Sequence, residues 1–207
     1  MNESARGCLI VVAAPSGAGK TSLVRALAEQ DHQVRLSISY TTRQPRPGEV
    51  DGEHYRFVDT RHFQALIDAQ ALVEHACVHG NHYGTSRVDL QNAVSAGLDV
   101  ILEIDWQGAR QVRSQWPDAI SVFILPPSAS TLRERLTRRG QDSEEVIARR
   151  LANARAEITH HGEFDYLIVN DDFQVALAAL RSIVLAQRQR TARQKFEYSE
   201  LVEELLR

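Results

Sequence analysis

The chain has 207 residues, 43% of them hydrophobic and 25% charged, with a formal net charge of −3. These are ordinary globular proportions for one domain with room for inserted lobes, and the mildly acidic balance excludes a general binder of nucleic acid. The longest apolar run, Cys8 to Ala14, falls far short of the roughly 18 residues of a membrane span. It stops at Pro15-Ser16-Gly17, unlike a secretory leader, so no membrane partner and a cytoplasmic location are expected. Cys8 and Cys77 sit beside apolar neighbours and read as buried free thiols.

Taken in chain order, short runs rich in Val, Ile and Leu at Cys8–Ala13, Leu36–Tyr40, Asp99–Ile104, Ile120–Leu125 and Tyr166–Val169 predict strands covered on both faces. Helical spacing separates them: Leu23, Ala26 and Leu27; Leu132 and Leu136; Val146, Ile147, Leu151 and Ala154; then Val175, Leu177, Leu180, Val184 and Leu185. The alternation predicts an α/β fold, a P-loop NTPase-type parallel sheet flanked by helices. Two stretches interrupt it. Residues 39–90 are turn-rich and strand-like with one helix near His62–Ala69, an inserted mixed α/β lobe. Residues 128–162 are helical and carry Arg133, Arg135, Arg138, Arg139, Arg149, Arg150 and Arg155, a helical lid. That leaves 1–38, 91–127 and 163–207 as the core. Trp106 and Trp116 read as core anchors. His75, His79 and His82 fall on strand and turn, where their spacing does not build a metal site.

The chemistry begins at Ala14-Pro15-Ser16-Gly17-Ala18-Gly19-Lys20-Thr21, between a strand and a helix, the setting a phosphate-binding loop requires. Gly17 and Gly19 let backbone N–H groups turn inward around phosphate oxygens, and the helix N-terminus adds partial positive charge. Lys20 reaches the β- and γ-phosphates and the Thr21 hydroxyl ligates Mg²⁺ brought by ATP. Ala14 stands where such loops usually begin with glycine, and fits only if it keeps ordinary backbone angles.

The inserted lobe should supply the acceptor site. Arg43 and Arg46 lie three apart between prolines, as planar forks suited to a phosphate dianion, and Tyr55 and Tyr83 add hydroxyl donors. With these residues the chain resembles the guanylate kinase family. The blocks that carry the likeness are Ala14–Thr21, Ser39–Gly48, Gly52–Tyr55, Gly80–Thr85, Ile104–Gly108, Pro126–Ser128, Arg135–Gly140 and Val169–Asp172. The resemblance implies ATP and GMP as substrates, with dGMP left open. By position it puts Arg43, Arg46, Tyr55 and Tyr83 on the GMP phosphate, Ser39, Glu74 and Thr85 on the guanine, and Asn170 on the adenine. Arg135, Arg139 and Arg150 would close on the transferring phosphoryl group. Glu103 and Asp105 end a strand beside the phosphate loop, where they would orient GMP or support Mg²⁺ through water; the family more often has Asp at the place of Glu103. A carboxylate at Glu74 accepts from both N1–H and the 2-amino group of guanine, and a site built on such bonds rejects a mismatched analogue by about 10⁴-fold or more. Two other readings are a catalytically silent phosphopeptide-binding module of the same fold and a ribose bisphosphate kinase. The intact Lys20 and Thr21 count against the first, and the Thr41–Arg46 block and Glu74 against the second.

Overall fold

Strands and helices alternate as the sequence pattern predicts. In the computed structural model, which describes residues 7–78, 80–138 and 144–207, the elements are β1 (Leu9–Ala13), α1 (Lys20–Gln30), β2 (Val34–Leu36), β3 (Tyr40–Thr41), β4 (Arg56–Phe57), α2 (Thr60–Asp68), β5 (Leu72–Val78), β6 (Asn81–Ser86), α3 (Arg87–Ser95), β7 (Asp99–Glu103), α4 (Trp106–Gln115), β8 (Ile120–Leu125), α5 (Ala129–Arg138), α6 (Glu144–Ile158), β9 (Tyr166–Val169), α7 (Phe173–Arg188), α8 (Thr191–Glu197) and α9 (Ser199–Leu205). Among the expectations above, Arg139 and His79 lie outside the described residues.

Five strands form a parallel sheet in the order β2-β7-β1-β8-β9. Every residue of the central β1 is buried, because its side chains alternate between two covered faces. Ile10 and Val12 pack with Leu23, Leu27, Leu177, Leu180 and Val184 from α1 and α7. Leu9 and Val11 pack with Leu90, Val94, Ala109 and Val112 from α3 and α4. The register pairs Val12 with Glu103 and Ala13 with Phe123, so β1 and β7 end within one residue of each other while β8 runs two residues further, to Leu125. The loops after β1 and β7 share one crevice at the carboxyl end of the sheet, where α/β folds bind ligands.

A second, mixed sheet has the order β4-β3-β6-β5, with β3 parallel to β4 and antiparallel pairing elsewhere. Its strand β5 is an edge, and α4 lies along that edge. Helices α5 and α6 bury Leu132, Leu136 and Ala154 in a cluster of their own.

Five readings of the sequence change. Strand β9, expected to be covered on both faces, is the sheet's edge, and Tyr166, Leu167 and Val169 are exposed. The run Leu36–Tyr40 is two strands: β2 ends opposite Ile101, and the chain crosses to the second sheet at Tyr40, a change of partner that apolar patterning does not encode. Cys77 is exposed because it sits on the edge strand. Trp106 is no core anchor; its ring stacks on His160 with centroids 3.6 Å apart. In α7, Val175 and Leu185 face solvent, and the core face is Ala176, Leu177, Leu180, Ile183 and Val184.

Candidate active site

After β1 the chain turns through Gly17 and Gly19, whose φ angles are 92° and 93°. Those left-handed values favour glycine. Ala14 is not among the residues with positive φ, so its β-carbon is accommodated. Gly19 caps α1, and no side chain accepts a hydrogen bond from that helix's first turn, whereas α2, α3, α4 and α7 are capped by Asp59, Ser86, Asp105 and Asp172. The first-turn N–H groups of α1 therefore remain open to an anion.

Hydrogen bonds from around the crevice fix the loop. The Ala18 carbonyl accepts from Asn170 Nδ2 at 2.7 Å and from Arg135 at 3.4 Å, and Arg135 also donates to the Asn170 carbonyl at 3.1 Å. A β-carbon on Gly19 would stand 2.3 Å from Asn170 Nδ2, so the glycine also makes room for this brace. Arg150 donates to Ser16 Oγ at 3.2 Å. Lys20 Nζ donates to the Ile104 carbonyl at 3.1 Å. Burial pulls the Lys20 pKa down, and Glu103, Glu157 and Asp105 oppose that shift. Thr21 donates its hydroxyl hydrogen to Glu103.

Across the crevice, Glu74 of β5 is 4% exposed. Thr85 donates to Glu74 Oε1 at 2.7 Å, and the Ser39 hydroxyl lies 3.2 Å from Thr85 Oγ1. Since Thr85 has spent its hydrogen on the carboxylate, Ser39 donates to Thr85. Burial pushes the Glu74 pKa up to about 7; the Thr85 hydrogen bond pulls it back and the charge of Asp105 adds to the rise. Asp105 caps α4 by accepting from Gly108 N at 2.8 Å.

One cavity of about 230 Å³ is lined by Lys20, Ser39, Tyr55, Glu74, Tyr83, Glu103 and Asp105 together. The arginines of the second sheet stand outside it. Arg43 pairs with Glu49 at 2.9 Å and lies over the Tyr55 ring. Arg46 is exposed, and its backbone N–H donates to the other Glu49 oxygen at 2.7 Å. Glu49, held well below the usual carboxylate range at about 2 by Arg43 and the Arg46 amide, was assigned no role from sequence. Its signal was its place three residues after Arg46. A wider cavity of about 820 Å³ continues between α4 and α6, lined by Cys77, Trp106, Arg149, Arg150, Glu157 and His160 among others.

A phosphate-binding loop and a buried carboxylate on one cavity describe a P-loop kinase that phosphorylates a small acceptor. The guanylate kinase family model matches residues 6–187. The guanylate kinase of Alkalilimnicola ehrlichii is 59% identical over 97% of this chain and 98% of its own length. That of Escherichia coli K12 is 54% identical over 98% and 99%. The crystal structure of guanylate kinase from Anaplasma phagocytophilum superposes with a TM-score of 0.76 at 34% identity, covering 92% of this chain and 90% of that one. The chain belongs to the guanylate kinase family.

Proposed function

We propose that the chain transfers the γ-phosphoryl group of ATP to GMP, giving ADP and GDP, through the residues assembled on this crevice. The observation that carries the assignment is that one cavity touches both Lys20 and Glu74. ATP phosphates sit in the loop of residues 14–21, against the uncapped first-turn N–H groups of α1, with Lys20 against the β- and γ-phosphates. GMP enters between Tyr55 and Tyr83 with its phosphate toward Arg43 and Arg46. Its N1–H and 2-amino group donate to Glu74, and the Thr85 and Ser39 hydroxyls fix that carboxylate's orientation. Asp105 faces the same base. Asn170 braces the loop under the adenine side.

In the reaction, an oxygen of the GMP phosphate bonds to the γ-phosphorus while the bond from that phosphorus to the β–γ bridging oxygen breaks, and ADP leaves with the electron pair. The acceptor oxygen is already anionic, so no general base is needed; the barrier is the meeting of two polyanions. Lys20, Arg43, Arg135, Arg139 and Arg150 offset that charge. The Thr21 hydroxyl and the Glu103 carboxylate, in contact beside the loop, are the hard oxygen donors that Mg²⁺ prefers. They would hold it, directly and through water, and it would neutralise phosphate charge when bound. Segments 39–90 and 128–162 close over the two nucleotides and exclude water as a competing acceptor.

The test is ADP release from ATP and Mg²⁺ with GMP, AMP, UMP or CMP offered in turn. Turnover is expected with GMP alone. Equal turnover with AMP, whose N1 carries no hydrogen and which lacks the 2-amino group, would remove the role given to Glu74.

A further inference from the structure

Strand β5 carries Glu74 on the free edge of its sheet. An antiparallel edge strand leaves the N–H and C=O of every second residue without a strand partner, and here those groups flank Glu74. Helix α4 takes them up with side chains. Gln111 accepts from the His75 N–H at 3.0 Å and donates to the His75 carbonyl at 2.9 Å, a two-bond ring that imitates a neighbouring strand. One turn on, Gln115 donates to the Val73 carbonyl at 2.9 Å. Arg87 donates in turn to Gln115 and, at 3.1 Å, to the Leu72 carbonyl. The residues on both sides of Glu74 are thus held by one helix.

That helix also shapes the space for the carboxylate. Gly108 lies three residues before Gln111, on the same face. It is a first-turn residue of the helix whose φ is not positive, so its backbone does not call for glycine. What the position lacks is room. A β-carbon there would stand 2.9 Å from Glu74 Oε2 and 3.2 Å from the Ile104 side chain.

We infer that the Gly108–Gln111–Gln115 face of α4 is a specificity clamp, which sets the guanine-reading carboxylate by gripping the backbone on either side of it and leaving its second oxygen space. These are positioning residues: they act through Glu74, and the inference rests on the reading that Glu74 selects guanine.

The experiment compares KM and kcat for GMP and for inosine monophosphate, which keeps N1–H but lacks the 2-amino group, in Gly108→Ala, Gln111→Leu and Glu74→Gln. For Gly108→Ala and Gln111→Leu we expect the GMP KM to rise about tenfold, the effect of one misaligned charged hydrogen bond. The GMP-over-inosinate preference should shrink by a similar factor, while kcat and the ATP KM hold, as for a change confined to binding of one substrate. Gln115→Leu supplies a further variant should either of the others fold poorly, with an unchanged ATP KM as the sign of an intact core. If Glu74→Gln loses the preference and the α4 variants keep it, the clamp is wrong. If Glu74→Gln itself keeps it, the reading of Glu74 fails and the clamp goes with it. Equal rises in the GMP and ATP KM would mark α4 as general scaffolding and overturn the inference.

Discussion

Glu74 ties the site's chemistry to pH. Burial raises its pKa from an ordinary 4.5 to about 7, so the folded state holds this proton more tightly than the unfolded chain. Its contribution to stability is full below the ordinary value and is lost as the pH rises through about 7. A shift of this size corresponds to about 3 kcal/mol, at 1.36 kcal/mol per unit. We therefore expect Glu74→Gln to be more stable than the parent at pH 8 and to lose that advantage near pH 5, as read by thermal unfolding across that range. On the proposal that guanine binds the ionised Glu74 carboxylate, GMP binding should expel a proton between pH 6 and 7. Calorimetry in buffers of different ionisation enthalpy measures that release. Glu74→Gln should abolish this part of it and leave only the phosphate's own titration, near pKa 6.

At the level of elements, the carboxyl ends of the strands carry the chemistry and the opposite ends carry the anchorage. Asp99, at the start of β7, is fully buried and accepts from the Cys8 N–H at 2.9 Å, Arg188 at 2.6 Å and Arg193 at 2.6 Å. Arg188 also pairs with Asp31 at the end of α1 at 2.8 Å. This hub fastens the end of α7 and helix α8 to the sheet. It also makes Cys8 inert, because burial and the neighbouring Asp99 push its thiol up to about 12. Asp99 itself is held below the usual carboxylate range by the Cys8 amide and by the two arginines, against the cost of burial. Its stabilisation is present above the ordinary carboxylate pKa and fades as the pH falls through the lowered one, opposite in sign to Glu74. Breaking a buried pair strands its partners, which typically costs 3–5 kcal/mol, a rough range. Asp99→Ala should lose about that much in chemical denaturation while the GMP and ATP KM values stay put, since nothing in the hub touches the crevice. A matching loss of nucleotide binding would contradict this separation of ends.

For the whole molecule, the crevice of about 820 Å³ between α4, α6 and β5 leaves room for water beside a phosphoryl group transferred there as proposed. Arg150 already reaches across to Ser16, so a smaller gap needs only motion of α5–α6 and of the second sheet. Addition of GMP together with a non-hydrolysable ATP analogue should lower the radius of gyration in small-angle scattering below that with either ligand alone. Unchanged dimensions with both bound would argue against closure.

How much of this was legible before folding follows from how local each feature is. The β1–loop–α1 signature is written in consecutive residues, because a strand, two left-handed turns and an open helix N-terminus must follow one another along the chain. The buried central strands are equally visible, since strands covered on both faces read as runs of Val, Ile and Leu, but the same pattern in β9 did not show that it is an exposed edge. Family resemblance brought Glu74, Thr85 and Ser39 onto one list; the relay among them, and the burial that moves the Glu74 pKa, appear only once β5, β6 and the start of β3 are paired. Gly108, Gln111, Gln115 and Asp99 gave no sequence signal for the work they do, and family likeness flagged Asn170 without its bond to the Ala18 carbonyl. Their partners lie tens of residues away, and a hydrogen bond to a distant backbone carbonyl leaves no period in the sequence. The chain's own pattern thus determined the fold class and the phosphate-binding loop, and family likeness added the guanine-reading residues proposed for the acceptor site. The tertiary structure alone decided which of those groups meet, because charge, burial and fit depend on neighbours that the chain reaches only by folding.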